Sequence, residues 1–152
     1  MIAGEIAEKR VEDFIEECRR RGIKATHQRM EILRELAGTQ EHPDVETIYN
    51  AVKKHIPAIS LDTVYRTLRM MEDMGVIARV GALDDRSRFD ANTDHHHHFV
   101  CLECGKVRDF YSEELEHFKA PPEVSRMGNI DSVYVELRGV CKSCREKMKN
   151  MN

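Results

Sequence analysis

The sequence predicts an α+β fold in which a helical half precedes a strand-rich half. Apolar residues recur at helical spacing as far as Gly75, and the pattern then changes to the alternation that is typical of strands. Two CxxC pairs, which begin at Cys101 and Cys141, both lie in the second half. A chain of 152 residues is long enough for one domain or for two small ones.

Four helices are predicted in the first half. The first begins near Ile6 and ends at Gly22, since glycine is a common helix stop. The candidate N-caps of the next three are Thr26, Asp44 and Ser60. The apolar stripes are Val11, Phe14, Ile15 and Cys18, then Met30, Leu33 and Ala37, then Val45, Ile48 and Val52, and finally Leu61, Val64, Leu68 and Met71. The last three helices are predicted to end at Gly38, Pro57 and Gly75. Cys18, in the first stripe, is predicted to lie in the core.

A two-stranded hairpin is predicted after the fourth helix. Its strands lie in VIARVGA and SRFDAN, and the acidic turn LDD joins them. Short helices followed by such a hairpin indicate a winged helix-turn-helix domain.

The fourth helix is the candidate DNA-contact element. Its apolar stripe turns Thr63, Arg66 and Arg69 outward, with Tyr65 on the flank, and Asp62 lies near the positive end of the helix dipole. Such a face can enter the major groove of double-stranded DNA, where arginine reads guanine or contacts phosphate. A charged outer face is also typical of a purely structural helix, and the residues alone leave that alternative open.

The second half is predicted to be a smaller α/β domain. Its candidate strands are HHHHFVCL, KVRDF and SVYVELRG, with a short polar helix near 113–119. We therefore predict a first domain over 1–83, a hinge over 84–92 and a second domain over 93–152.

Composition restricts the cellular context. Hydrophobic residues make up 41% and charged residues 34% of the sequence, and no apolar run approaches the roughly 18 residues of a membrane span. The charged N-terminal segment does not resemble a signal peptide, so we expect a cytoplasmic protein without a membrane partner. A net charge of −3 gives no support for nucleic-acid binding, which must rest on local basic patches.

The paired cysteines predict a structural zinc site. Cys101 with Cys104, and Cys141 with Cys144, supply the four thiolates that structural Zn(II) binds in a tetrahedron. Gly105 permits the tight turn that the first pair needs. The alternative is a set of buried or redox-active cysteines.

The histidine run predicts a second metal site. On a strand, His96 and His98 share one face, and His95 and His97 share the other, so at most two of them can bind one ion. Nearby carboxylates that can complete a site are those of Asp90, Asp94 and Asp109. Imidazole and carboxylate ligands suit Fe(II) or Mn(II), and Zn(II) can also bind them. A solvated histidine run is the alternative.

Several of these segments together resemble the ferric uptake regulator family of metal-dependent bacterial repressors. The similar segments are GIKATHQRMEIL, HPDVETIY, SLDTVYRTLRMMEDMGVI, SRFDANTDHHHHFVCLECGKVRDF and GVCKSC, which span nearly the whole chain. The resemblance implies a winged-helix DNA-binding domain, a dimerisation domain, and a homodimer that binds an inverted-repeat operator when its regulatory metal is bound.

The resemblance also implies a sensing site for Fe(II) or Mn(II). By position its ligands are His42, Asp90, His96, His98 and Asp109. In the peroxide-sensing branch, iron reacts with hydrogen peroxide and a ligand histidine is oxidised, which by resemblance is His42 or His96, and repression then ends. The protein would act as a regulator and not as an enzyme.

Three positions bear on the branch. Asp109 resembles the peroxide-sensing branch, because iron-uptake regulators usually have glutamate there. Val133 replaces a histidine of an additional metal site found in many iron-uptake members, so a third site at His95, His97 and Glu116 would be incomplete. Arg66 instead resembles the iron-uptake regulators, so iron-responsive repression is an alternative, followed by zinc or manganese sensing.

Functions of other classes also remain open. A zinc hydrolase would need an open metal position and a general base. A zinc-binding interaction module without DNA binding would need neither.

Overall fold

The computed structural model describes residues 3–80 and 87–152. Helices and strands are mixed along the chain, which confirms the predicted α+β class. Internal contacts divide the chain into two compact units, residues 1–93 and 94–152. This division falls just after the predicted hinge, 84–92, which stays a prediction because residues 84–86 lie outside the described residues. None of the helices described in the two ranges has the length and apolar character that a membrane crossing requires.

The described part of the first unit has four helices. They are α1 (Ala3–Arg21), α2 (His27–Ala37), α3 (Val45–Lys53) and α4 (Leu61–Asp73). The predicted N-caps are confirmed, because the side chains of Thr26, Asp44 and Ser60 each accept a hydrogen bond from the backbone N–H three residues later. These bonds satisfy N–H groups that a helix start otherwise leaves without a partner. The third helix ends at Lys53, earlier than Pro57.

The core of the first unit is formed by all four helices, and three of the predicted stripes need correction. Its most deeply buried side chains include Phe14, Ile32, Leu33, Leu36, Ile48, Val52, Val64, Leu68 and Met71. In α4, Leu61 is 37% exposed and Thr67 is buried instead, because Thr67 lies one turn from both Val64 and Met71 on the same helix face. Ile15 in α1, and Met30 and Ala37 in α2, only border the core.

The predicted hairpin is present as β1 (Ala78–Val80) and β2 (Arg88–Asp90), which pair antiparallel. Gly75 adopts φ +72 at the end of α4, a left-handed conformation that glycine takes without strain and that lets the chain leave the helix. The predicted turn LDD, at 83–85, lies outside the described residues. Helices α2 to α4 with this hairpin form the predicted winged helix-turn-helix.

The second unit is a three-stranded sheet with short helices. Its strands are β3 (His97–Cys101), β4 (Val107–Phe110) and β5 (Glu136–Gly139), in the order β4-β3-β5. The central strand β3 is antiparallel to β4 and parallel to β5. The helices are α5 (Glu113–Glu116), α6 (Pro122–Ser125) and α7 (Lys142–Asn150). The three strands and α5 were predicted, whereas α6 and α7 were not.

The second unit has a small core. Its buried side chains are those of His96, His97, Val100, Cys101 and Val107. Large apolar side chains are exposed instead, among them Leu102, Phe118, Met127, Ile130, Tyr134 and Leu137. A unit with so little buried apolar surface needs another source of stability, such as a metal ion or association with a second chain.

Candidate metal centres and nucleic-acid interface

Four cysteine sulfur atoms converge at one end of the sheet in the second unit. Cys101 ends β3, Cys104 lies in the following turn, and Cys141 and Cys144 begin α7. Their sulfur atoms all lie within 4.8 Å of one another. Gly105 adopts φ +72, and its N–H donates to the carbonyl of Cys101, so the predicted tight turn is present. The parallel pairing of β3 with β5 brings the second CxxC pair to the first.

The geometry and electrostatics of this cluster fit structural zinc. A tetrahedral ion with Zn–S bonds of about 2.3 Å requires sulfur atoms about 3.8 Å apart, and the Sγ atoms of Cys104 and Cys141 are 3.9 Å apart. The backbone N–H groups of Cys104 and Cys141 donate to the sulfur of Cys101 and lower the pKa of that thiol to about 6. The pKa of Cys144 is raised, mainly by a hydrogen bond with Cys141 and, as a second cause, by burial. A bound cation would favour the thiolate form of Cys144 against these effects.

Two imidazoles and a carboxylate lie together on one face of the β3–β4 pair, with His98 in β3, His96 just before it and Asp109 in β4. His98 lies opposite Asp109 in the β3–β4 register, and the Nε2 of His98 is 3.2 Å from the Oδ1 of Asp109. The Nε2 of His96 is 3.3 Å from the same oxygen, and the two imidazole rings are 4.7 Å apart. The alternation argument therefore places the correct pair of histidines together. These three side chains can supply two nitrogen ligands and one oxygen ligand to an ion of the first transition row.

The opposite face holds His95 and His97 in a different environment. His97 is 1% exposed, packs against Phe110, and accepts the N–H of Val135 at Nδ1. Burial lowers the pKa of His97, so its ring is neutral near pH 7. The Nδ1 of His95 is 3.7 Å from Glu116, and its Nε2 is 2.8 Å from the carbonyl of Val133. Among the described residues, the donor atoms of this face do not form a group that could hold an ion.

The first unit holds another buried histidine and carboxylate pair. The Nε2 of His42 is 3.3 Å from the Oδ2 of Asp90, and these residues are 3% and 7% exposed. His42 adopts φ +50, a left-handed conformation that is rare outside glycine and costs about 1–3 kcal/mol. The strained backbone is held because Phe89 donates its N–H to the carbonyl of Pro43. The carboxylate of Asp90 also accepts the N–H of Asn92 at 2.8 Å.

The outer face of α4 matches the predicted DNA-contact face. Tyr65 is 54% exposed, and Arg66 and Arg69 are exposed beside it. Thr63 is partly covered, and its hydroxyl lies 2.8 Å from that of Ser60. This face borders a groove of about 720 Å³, which is lined by Arg66, Arg69 and Arg79 and by the acidic side chains of Asp44, Glu46, Asp62, Glu72 and Asp73.

Two ion pairs in this groove were not predicted from the sequence. The Nε of Arg66 lies 2.9 Å from the Oδ2 of Asp62, and the Nε of Arg79 lies 2.9 Å from the Oε2 of Glu72. The spacing of Asp62 and Arg66, four residues apart on a helix, was a usable signal for the first pair. No local signal predicts the second, because the chain turns between Glu72 and Arg79.

Known proteins are similar in sequence to this chain over almost its entire length. The model of the ferric uptake regulator family matches residues 20–138. The peroxide-responsive repressor PerR of Staphylococcus aureus (strain Mu50) is 36% identical over 143 residues, which are 94% of this chain and 97% of that protein.

Two solved structures are similar in fold. The ferric uptake regulator Fur of Helicobacter pylori, described as having three functional metal binding sites, has a TM-score of 0.77 and 26% identity, with 95% of this chain and 97% of that chain covered. A zinc-bound manganese uptake regulator has a TM-score of 0.65 and 37% identity, with 83% and 96% covered.

Proposed function

This chain belongs to the ferric uptake regulator family, and from that membership we propose that it is a metal-dependent transcriptional repressor that responds to hydrogen peroxide. Members of this family are dimeric DNA-binding repressors and not enzymes. The observation that carries the proposal is the group of His96, His98 and Asp109 on one face of β3 and β4, in a chain 36% identical to a peroxide-responsive repressor.

We propose that five side chains bind one regulatory Fe(II) or Mn(II) ion. The first unit supplies His42 and Asp90, and the second supplies His96, His98 and Asp109. Each set combines imidazole with carboxylate, which suits these metals, and neither set alone supplies enough ligands for their usual coordination. Because the ligands come from both units, bound metal would favour one arrangement of the units. If that arrangement is the one that binds DNA, DNA must strengthen metal binding in return.

The peroxide response would end in the oxidation of a ligand imidazole. These five side chains would hold Fe(II), which would supply the redox chemistry for the reaction with hydrogen peroxide. In the net change, one peroxide oxygen enters a ring C–H bond, the other leaves as water, and the imidazole loses two electrons. The oxidised ring is a weaker ligand, so metal would be lost, the DNA-binding arrangement would no longer be favoured, and the operator would be released.

Burial supports His42 and His96 as the oxidised residues. Their side chains are 2% and 7% exposed, whereas the side chain of His98 is 17% exposed. An oxidant formed beside a buried ring reacts with that ring before it reaches solvent.

The test is to load the protein with Fe(II) without oxygen, add a small excess of peroxide, and follow peptide mass and operator binding together. We expect one added oxygen on the peptide of His42 or His96, together with loss of DNA binding. The Mn(II)-loaded protein is the control and should not be oxidised. His117, which is exposed and is not a proposed ligand, is an internal control and should also stay unmodified. DNA release without oxidation of these histidines would contradict the mechanism.

We propose that α4 contacts the operator through Thr63, Tyr65, Arg66 and Arg69. Combined replacement of Tyr65 and Arg66 by alanine should weaken operator binding by about 100-fold, since a good base contact provides about 1–3 kcal/mol. Zinc content and helical circular dichroism should not change, because both side chains are exposed. Replacement of Arg126, an exposed arginine of the second unit, is the matched control. Unchanged binding would favour an interaction module instead.

We propose that two copies associate through the second unit and bind an inverted-repeat operator in the cytoplasm. Tyr134, Leu137 and Leu102 are 70%, 50% and 56% exposed, a surface that a second copy would cover. Strand β5 also lies at the edge of the described sheet, with one side open to pairing. A two-fold symmetric dimer requires a two-fold symmetric DNA site.

A second candidate is a repressor that responds to metal supply and not to peroxide. Arg66 favours it, because by resemblance arginine at this position is typical of iron-uptake regulators. The 37% identity to a manganese uptake regulator favours a manganese or zinc sensor of the same kind. A DNA complex that peroxide leaves intact would support this candidate.

A further inference from the structure

Hydrogen bonds connect α1 to the segment that follows the proposed metal ligand Asp90. The Nη2 of Arg10 donates to the Oδ1 of Asn92 at 3.3 Å, and the Nη1 of Arg10 donates to the Oγ1 of Thr93 at 3.4 Å. The backbone N–H of Asn92 in turn donates to the Oδ1 of Asp90 at 2.8 Å. A guanidinium group on α1 is therefore connected to the carboxylate of Asp90 through one intervening residue.

The two carboxylate oxygens of Asp90 face different groups. The Oδ1 accepts the N–H of Asn92, and the Oδ2 lies 3.3 Å from the Nε2 of His42. A bond at the Oδ1 restricts rotation of the carboxylate, so it helps to keep the Oδ2 directed toward His42. Groups that hydrogen-bond to a metal ligand in this way fix its orientation and raise the affinity for the ion.

The backbone that supplies this N–H is not fixed by regular structure, because residues 92 and 93 lie in no helix or strand. Arg10, in contrast, lies on a helix that Val11 and Phe14 anchor in the core of the first unit. Its planar guanidinium group donates to two consecutive side chains at once, which restricts the backbone between them.

We propose that Arg10 is a positioning residue of the regulatory metal site. By holding Asn92 and Thr93, it keeps the N–H of Asn92 on the carboxylate of Asp90 before the ion arrives. Less conformational freedom is then lost when the metal binds. A guanidinium group has no lone pair for a metal, so Arg10 acts through Asn92 and not as a ligand. The inference rests on the proposed function, which makes Asp90 a metal ligand.

The charge of Arg10 makes the direction of its effect informative. A guanidinium group repels a nearby divalent cation, so charge alone predicts that loss of Arg10 would strengthen metal binding. Loss of orientation predicts weaker binding. The direction of the change in metal affinity therefore separates orientation from electrostatics.

The test uses the full-length, zinc-loaded protein, titrated with Mn(II) in the absence of DNA. Arg10→Ala should weaken Mn(II) binding by about tenfold, as is typical when a group that orients a metal ligand is lost. Before Mn(II) is added, the amide hydrogen of Asn92 should exchange with solvent faster in this variant than in the wild type, because the backbone there is no longer held.

A second variant tests the same connection from its other end. Asn92→Ala removes the oxygen that accepts from Arg10 but keeps the backbone N–H, and α1 is unchanged, so it also serves if Arg10→Ala fails to fold. It should weaken Mn(II) binding as well, and the double variant should bind Mn(II) no more weakly than Arg10→Ala alone, because both changes break one connection.

Lys9→Ala is the matched control for charge. It removes an equal charge from the neighbouring position of α1, where Lys9 pairs with Asp13, and should not weaken Mn(II) binding. Thermal unfolding without Mn(II) should be similar in the wild type and in Arg10→Ala, since α1 is anchored by its buried residues.

The possible results distinguish the inference from the proposed function. Equal or tighter Mn(II) binding by Arg10→Ala, or unchanged exchange at Asn92, would overturn the inference and leave the proposed metal site in place. If Asp90→Ala binds Mn(II) as tightly as the wild type does, Asp90 is not a ligand, and the proposed site fails together with the inference.

Discussion

Replacing Cys101 with serine should remove zinc and unfold the second unit. The few buried apolar side chains of this unit leave it dependent on the metal, and structural zinc sites contribute about 10–16 kcal/mol of apparent binding energy to folding at pH 7. Cys101 is central to the cluster, because its sulfur accepts the N–H groups of both Cys104 and Cys141. The serine hydroxyl is a poor zinc ligand, so the ion would keep only three of its four cysteine ligands.

Zinc content and thermal unfolding measure this effect. We expect about one zinc per chain in the parent protein and almost none in the variant, with the unfolding transition of the second unit lost. The matched control is Cys18→Ala, which changes a cysteine buried in the core of the first unit and should keep the zinc. A folded, dimeric, zinc-free Cys101→Ser protein would show that the thiolates are not a structural site.

Replacing Asp109 with glutamate should preserve metal-dependent DNA binding and slow inactivation by peroxide by about tenfold or more, equivalent to at least about 1.4 kcal/mol in activation free energy. Asp109 approaches His96 and His98 through a single oxygen, at 3.3 and 3.2 Å. The longer side chain can bring both oxygens to an ion held there and occupy a position that peroxide would need.

The measurement is the rate of histidine oxidation and of operator release at a fixed peroxide concentration. Asp94→Glu is the matched control, since Asp94 lies next to the same histidines but is not a proposed ligand. Equal rates in the Asp109 variant and in the parent protein would remove the main reason for assigning the chain to the peroxide-sensing branch.

The features that the sequence predicted correctly depend on local chemistry. The caps at Thr26, Asp44 and Ser60 involve hydrogen bonds across three residues, so residue type and spacing identify them. The separation of His96 and His98 from His95 and His97 agrees with strand alternation, although β3 begins only at His97 and the alternation continues into the extended segment before it.

The features that the sequence did not predict depend on packing, on the path of the chain, or on a residue type that is unusual in its position. Thr67 is buried in place of Leu61 because it lies on the helix face of Val64 and Met71, and a search for apolar residues overlooks a polar side chain on that face. The ion pair of Arg79 with Glu72 forms only after the chain turns at Gly75. The role of Cys141 as the N-cap of α7 also escaped prediction, because cysteine is not a usual capping residue.

Helix α7 has no buried residue and only nine residues, fewer than the roughly 12–15 that an isolated helix needs in water. Its start is made of Cys141 and Cys144, so the bound ion would anchor a segment that cannot fold by itself. Oxidation of either thiol would therefore free residues 142–150 as an extended peptide that proteases can cleave.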